Sequence, residues 1–133
     1  MIDAEFAIYN VVSNDLEAAF PGIYVTGEVS YAPSKFPAVS IVEKSNSIFQ
    51  RMRTAVIENA VSVMYEVNIY SNKIGYSKME AKSILAAVDD SFTRLGFTRT
   101  FSNPVQNLED SKIFRIVARY EAVIDRDFTV YQN

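Results

Sequence analysis

Between Val61 and Asp125 the spacing of apolar residues changes period twice. Residues Val61 to Tyr70 alternate: Val61, Val63, Tyr65, Val67 and Ile69 fall on one side, and Ser62, Met64, Glu66, Asn68 and Tyr70 on the other, the period of a strand. The spacing then lengthens. Ala81, Ile84, Leu85, Val88, Phe92 and Leu95 return at steps dominated by three and four and draw one stripe along a helix. Ser77 and Glu80 precede that stripe with the spacing of a capping box, and Gly96 stands where a left-handed stop is needed. In the last long run the period is two again. Phe114, Ile116, Ala118, Tyr120, Ala122 and Ile124 share one face, while Arg115, Val117, Arg119, Glu121 and Val123 share the other. The first face is core and the second is mixed. Neither strand carries a catalytic signature, so the block reads as a scaffold for assembly.

The flanking segments complete the architecture. Phe6, Tyr9, Val12, Leu16 and Ala19 predict a helix over residues 3 to 20, ended by Pro21-Gly22. Ile23 to Val29 and Ala38 to Lys44 predict short strands, with Pro33 and Pro37 breaking the ladder between them. Ser45-Asn46-Ser47 predicts a turn, and Ile48 to Arg53 a short strand or part of an arm. Phe97 to Phe101 is extended, Asn103-Pro104 to Asp110 a loop, and the final strand begins at Lys112. Helix, strands, helix, strands is the order of an α+β fold, here a mostly antiparallel sheet with two main helices packed on one face.

Composition narrows the chemistry more than the fold. A chain of 133 residues suits one domain, residues 1–133, and 49% apolar with 22% charged residues is ordinary for a globular protein. No stretch approaches the ~20 apolar residues that cross a bilayer, and Asp3 and Glu5 at the amino terminus oppose a secretory signal, so no membrane role and a cytoplasmic site of synthesis are expected. The chain has no cysteine and no histidine. Thiolate chemistry, Cys-ligated metals, Ser-His pairs and imidazole ligands are thereby excluded, and no enzyme activity, cofactor or metal is expected.

The remaining candidates are weak as chemistry. Asp89-Asp90 diverges by about 100° on a helix and reads as a solvated face. Asp125-Arg126-Asp127 matches a short metal-holding motif of some sugar transferases, but a surface turn explains it as well. The glycines are dispersed and cradle no phosphate. Phe49, Arg51 and Arg53 form the only local basic cluster with an aromatic neighbour: partner contact, solvated hairpin and direct DNA contact all fit, in that order. Phe128, Val130 and Tyr131 form an edge strand either on their own sheet or on a neighbour's.

Several segments together carry a resemblance. Phe36-Pro37-Ala38-Val39-Ser40-Ile41-Val42-Glu43, Tyr65-Glu66-Val67-Asn68-Ile69-Tyr70-Ser71-Asn72, Leu95-Gly96-Phe97-Thr98-Arg99, Asn107-Leu108-Glu109-Asp110 and Arg119-Tyr120 follow one another in an order that resembles the tail terminator and minor capsid proteins of long-tailed bacteriophages. The likeness covers about residues 36 to 125. It implies a non-enzymatic subunit without cofactor that closes as a homo-hexameric ring on the major tail tube protein, stops tube growth and offers a surface to the head-side connector or stopper. It further implies assembly in the bacterial host cytoplasm, a final place at the virion head–tail junction, and a monomer as one state of the isolated protein. Genomic DNA would pass through without specific binding, because six chains of net charge -3 sum to about -18. Two other stations stay open: a connector or stopper on the head side of the joint, and a non-viral cytoplasmic interaction module. By pattern, interface candidates are Phe49, Arg51, Arg53, Arg115, Arg119, Glu121, Phe128 and Tyr131, and candidates for an acidic lumen are Asp3, Glu5, Asp15, Glu17 and Asp125.

Overall fold

The computed structural model describes residues 2–28, 33–48, 60–106, 112–128 and 130–131, without the side chains of Gln106 and Tyr131. Its spine is the pair of long strands anticipated from their alternation. β3 (Ala60–Ser71) and β5 (Phe114–Asp125) run antiparallel in unbroken register, from Ala60 opposite Asp125 to Ser71 opposite Phe114. β2 (Ala38–Ile48) lies antiparallel on the other side of β3, and the short β1 (Tyr24–Thr26) adds to β2 in parallel. β4 (Thr98–Gln106) borders β5, giving the order β1-β2-β3-β5-β4, and β6 (Val130–Tyr131) pairs with β5 at Val123 and Ile124. The sheet is therefore mostly antiparallel, and the fold is α+β as the pattern predicts.

Both helices, α1 (Glu5–Ala19) and α2 (Ser77–Arg94), cover the same face. Ile8, Val12 and Leu16 of α1 and Ala81, Ile84, Val88 and Phe92 of α2 join Val39, Ile41, Val61, Val63, Tyr65, Val67, Ile69, Ile116, Ala118, Tyr120 and Ile124 in one core. The residues that alternate inward on β3 and β5 are thus the ones the helices bury. At its centre Phe92 stacks on Tyr120 with ring centroids 4.3 Å apart and meets Phe97 edge-on at 5.3 Å. Phe97 is placed there by the helix stop: its N–H donates to the Phe92 carbonyl and that of Gly96, at φ +92°, to Thr93, the two bonds of a Schellman ending.

Four local expectations are corrected. Ser45-Asn46-Ser47 is not a turn; β2 continues through it to Ile48, because one extra residue between Glu43 and Ser45 forms a bulge. That extra residue changes which side the following residues face, and Asn46 reaches back to donate to the Ile2 carbonyl at 2.8 Å. Asn103-Pro104 is strand as well, since β4 is an edge strand and a proline needs no ladder donor on its open side. A second bulge, between Arg99 and Phe101, turns Phe101 to the side opposite the helices, where it faces Arg119. Ser77 and Glu80 form no capping box: Tyr76 occupies the cap position, Ser77 lies inside the helix, and the Glu80 carboxylate instead accepts a 2.6 Å hydrogen bond from Ser71 Oγ. Phe6 belongs to the outer side of α1 and is 78% exposed, with Ile8 taking the inward place assigned to it.

Candidate interaction face

The sheet face away from the helices carries an ordered lattice of side chains. Glu66 and Arg119 stand directly opposite each other on β3 and β5, and Arg119 Nε donates to Glu66 Oε2 at 3.2 Å. The same guanidinium lies over the Phe101 ring, 5.1 Å from its centroid. Cross-strand neighbours of this kind are the unit of sheet stabilisation, and the pair fixes a planar cation against an aromatic ring. Glu66 is 14% exposed and Arg119 45%, so the acid is covered while the base remains presented.

Two residues beyond Glu66 on β3, Asn68 Oδ1 accepts from Nε and Nη2 of Arg115 at 3.0 and 2.7 Å, and the Arg115 guanidinium lies over Tyr70. Asn68 and Tyr70 are both buried, and Tyr70 packs with Ala38 and Ile113 under Phe36 in a small second cluster. A fork of two donors to one buried amide oxygen sets the arginine's direction. Around it Phe101 and Val105 are exposed on β4 and Glu121 on β5. Among the described residues every buried side-chain nitrogen and oxygen has a partner. The described part of the face is polar at its centre and apolar at the β4 edge.

Of the interface candidates, Arg115, Arg119 and Glu121 thus share one face. Phe128 lies apart, at φ +62° in the turn before β6, and Tyr131 lies in β6, which completes its own chain's sheet. Phe49, Arg51 and Arg53 lie outside the described residues. The Asp125-Arg126-Asp127 segment is the surface turn after β5, with Asp127 N–H donating to Asp125 Oδ1. Sequence reasoning missed Glu66, Asn68 and Phe101. The alternation put Glu66 and Asn68 on the mixed face, but only the strand register pairs them with arginines.

The acidic candidates scatter. Asp15 is held between the helices, accepting from Ser91 Oγ at 2.7 Å and from Arg94 at 2.9 Å, whereas Glu17 points outward. Asp90 is exposed as expected, while Asp89 is partly exposed and accepts from Tyr120 Oη and Arg99, linking α2 to β5 and β4. Asp3, Glu5 and Glu43 gather with carboxylate oxygens within 4.8 Å of one another. Each already accepts an internal bond: Asp3 from Glu5 N–H, Glu5 from Glu43 N–H, and Glu43 from Tyr65 Oη. The trio is a fastening between α1 and β2.

That fastening is proton-sensitive. Burial pushes the Glu43 carboxyl above its ordinary value of 4.5; the Tyr65 hydrogen bond pulls it back in part, and repulsion from Glu5 and Asp3 adds to the rise. Tyr65 is raised in turn, by burial first and then by Glu43, so it stays a neutral donor. A carboxyl whose folded pKa is raised stabilises fully below the unfolded value, and that contribution is lost as pH rises through the folded one. Glu43→Gln keeps an acceptor for Tyr65 without the charge. It is expected to melt higher than the parent at neutral pH and at the same temperature near pH ~4, in thermal melts at both pH values. A variant less stable than the parent at neutral pH would make the ionised Glu43 a net support.

The fold has a known counterpart. A chain of the structure titled "Virion of native gene transfer agent (GTA) particle" superposes with a TM-score of 0.61 at 15% identity, over 88% of this chain and 93% of that one. No family model and no curated protein matches the sequence. The likeness is one of fold. No helix among the described residues is long and apolar enough to cross a membrane.

Proposed function

We propose that the chain is a structural virion subunit, the terminator of a phage-type tail, which closes as a ring on the head-proximal end of the tail tube. The observation that carries this reading is the shared fold with a virion particle chain over nearly the full length of both. Three features agree with it. The order of segments resembles tail terminators, the sheet presents a face the helices leave uncovered, and that face holds fixed arginines beside exposed apolar residues instead of reactive groups. In this reading the tube protein and the head-side connector are the partners, the subunit is made in the host cytoplasm and ends at the head–tail junction, and DNA passes without specific binding.

Deleting the gene from its phage or prophage and imaging the induced lysate by negative-stain electron microscopy tests the proposal. Filled heads beside unattached, overlong tails are expected. Free tails of normal length with leaking heads would move the subunit to the head side of the joint, and normal attached particles would overturn the virion reading.

A further inference from the structure

The corner where β3 meets α2 exposes apolar side chains that the fold does not use. Ile74 is 94% exposed, Met79 67% and Tyr76 57%. Single exposed apolar residues are common, but three within six positions form a patch. Lys73, Lys78 and Lys82 surround it, all exposed, with Lys73 over the Tyr76 ring at 5.8 Å. The one acid in this stretch, Glu80, is turned in toward Ser71. Asn72, Lys73, Gly75, Ser77 and Lys112 edge an open hollow beside Ile74. The corner is thus basic, apolar and concave.

The opposite character appears on α1. Phe6, Asn10 and Glu17 follow at steps of four and seven, so they lie within about 40° of one another on the helix and form one outward stripe. No Lys or Arg precedes Lys35 in the chain, and Asp3 lies beside the start of this stripe. An exposed aromatic ring on a helix that carries Glu5, Asp15 and Glu17 and no base is the complement of a basic corner with exposed apolar side chains.

These two surfaces cannot meet within one chain. Glu5 is fastened to Glu43, which stands opposite Tyr65 on β3, while the α2 corner is fastened through Glu80 to Ser71. Tyr65 and Ser71 are about 20 Å apart at ~3.3 Å per strand residue. We propose that the basic apolar corner of α2 in one subunit receives the Phe6 stripe of α1 in a second copy of this chain. Unlike surfaces at opposite ends give a head-to-tail contact, which closes as a ring when the rotation between copies permits. The inference rests on the ring assembly proposed above and names its subunit contact.

The test is complementation of a deletion strain, scoring incorporation of the protein into purified particles. The variants are Lys73→Glu with Lys78→Glu, Asn10→Lys with Glu17→Lys, and all four together, each first shown to melt like the parent. Each pair is expected to cut incorporation roughly tenfold or more by setting like charges face to face, and the fourfold variant to recover most of it. Pairs that incorporate like the parent would overturn the contact. Loss in the lysine pair alone, without recovery in the fourfold variant, would assign the corner to a different protein and overturn it equally. If the deletion itself leaves particles normal, the virion reading fails separately. The contact is then decided by oxidising purified protein with Asn10→Cys and Asn72→Cys: the chain has no cysteine of its own, so a ladder that needs both sites supports the contact and its absence refutes it.

Discussion

Phe92→Ala is expected to cost about 3–5 kcal/mol of folding stability. Phe92 is fully buried on the inner side of α2 and touches three other aromatic rings: Tyr120 at 4.3 Å in a stacked geometry, Phe97 at 5.3 Å edge-on, and Tyr65 at 6.1 Å. Removing it opens a cavity among rings that cannot collapse. Tyr120 and Tyr65 are anchored at their hydroxyls, to Asp89 and Glu43, and Phe97 is held by the helix stop. Against a typical total of ~5–15 kcal/mol, that loss brings a domain of this size near its unfolding threshold. Urea titration of the parent and variant measures it. A loss below about 2 kcal/mol would mean that the rings close over the gap and that the stack is not the fixed centre of the core.

The same cluster shows how far the sequence could be read. Phe92, Tyr65 and Tyr120 are legible as core because each sits in phase with a long apolar period, helical for the first and alternating for the other two. Phase is a local property, and it failed where a local irregularity intervened. The bulges after Glu43 and after Arg99 each insert one residue, and no composition signal marks either, so Ser45-Asn46-Ser47 reads as a turn and Phe101 as an ordinary strand residue. Pro104 misled for a different reason. A proline excludes a central strand, and only the sheet order reveals that β4 lies at the edge. Glu80 does lie in the first turn of α2, but its partner, Ser71, comes from the preceding strand and not from the cap.

For the candidate interaction face the missing quantity is register. Alternation puts Glu66, Asn68, Arg115 and Arg119 on one side of the sheet, and says nothing about which acid meets which base. A slip of two residues between β3 and β5 would preserve every inward-facing residue and separate Glu66 from Arg119. The unbroken pairing from Ala60–Asp125 to Ser71–Phe114 sets Glu66 against Arg119, and the second bulge then delivers Phe101 to the same guanidinium. The exposed corner at Ile74, Tyr76 and Met79 interrupts no sequence pattern; it is defined by exposure, which only the packed fold sets.

Arg119→Glu is expected to leave the subunit folded and to abolish its assembly. Within the chain the change is modest. Arg119 is 45% exposed, so its pair with Glu66 contributes at most ~1 kcal/mol, and placing Glu beside Glu66 costs a similar amount. Across an interface, by contrast, a reversed charge meets a partner shaped for a guanidinium and costs several kcal/mol, enough to lower occupancy by orders of magnitude. Thermal melts and particle formation in a complemented deletion strain measure the two sides. Glu66→Arg combined with Arg119→Glu separates the causes: it restores an ion pair at the same cross-strand position with its poles exchanged. Recovery of assembly in this double variant would mean that the pair serves only to fix the strand face. Continued failure, with stability restored, would mean that a partner reads the cation at position 119 itself, held over Phe101 and offered outward. An unchanged particle yield from the single variant would remove Arg119 from the interface and shift attention to the Phe101 and Val105 edge.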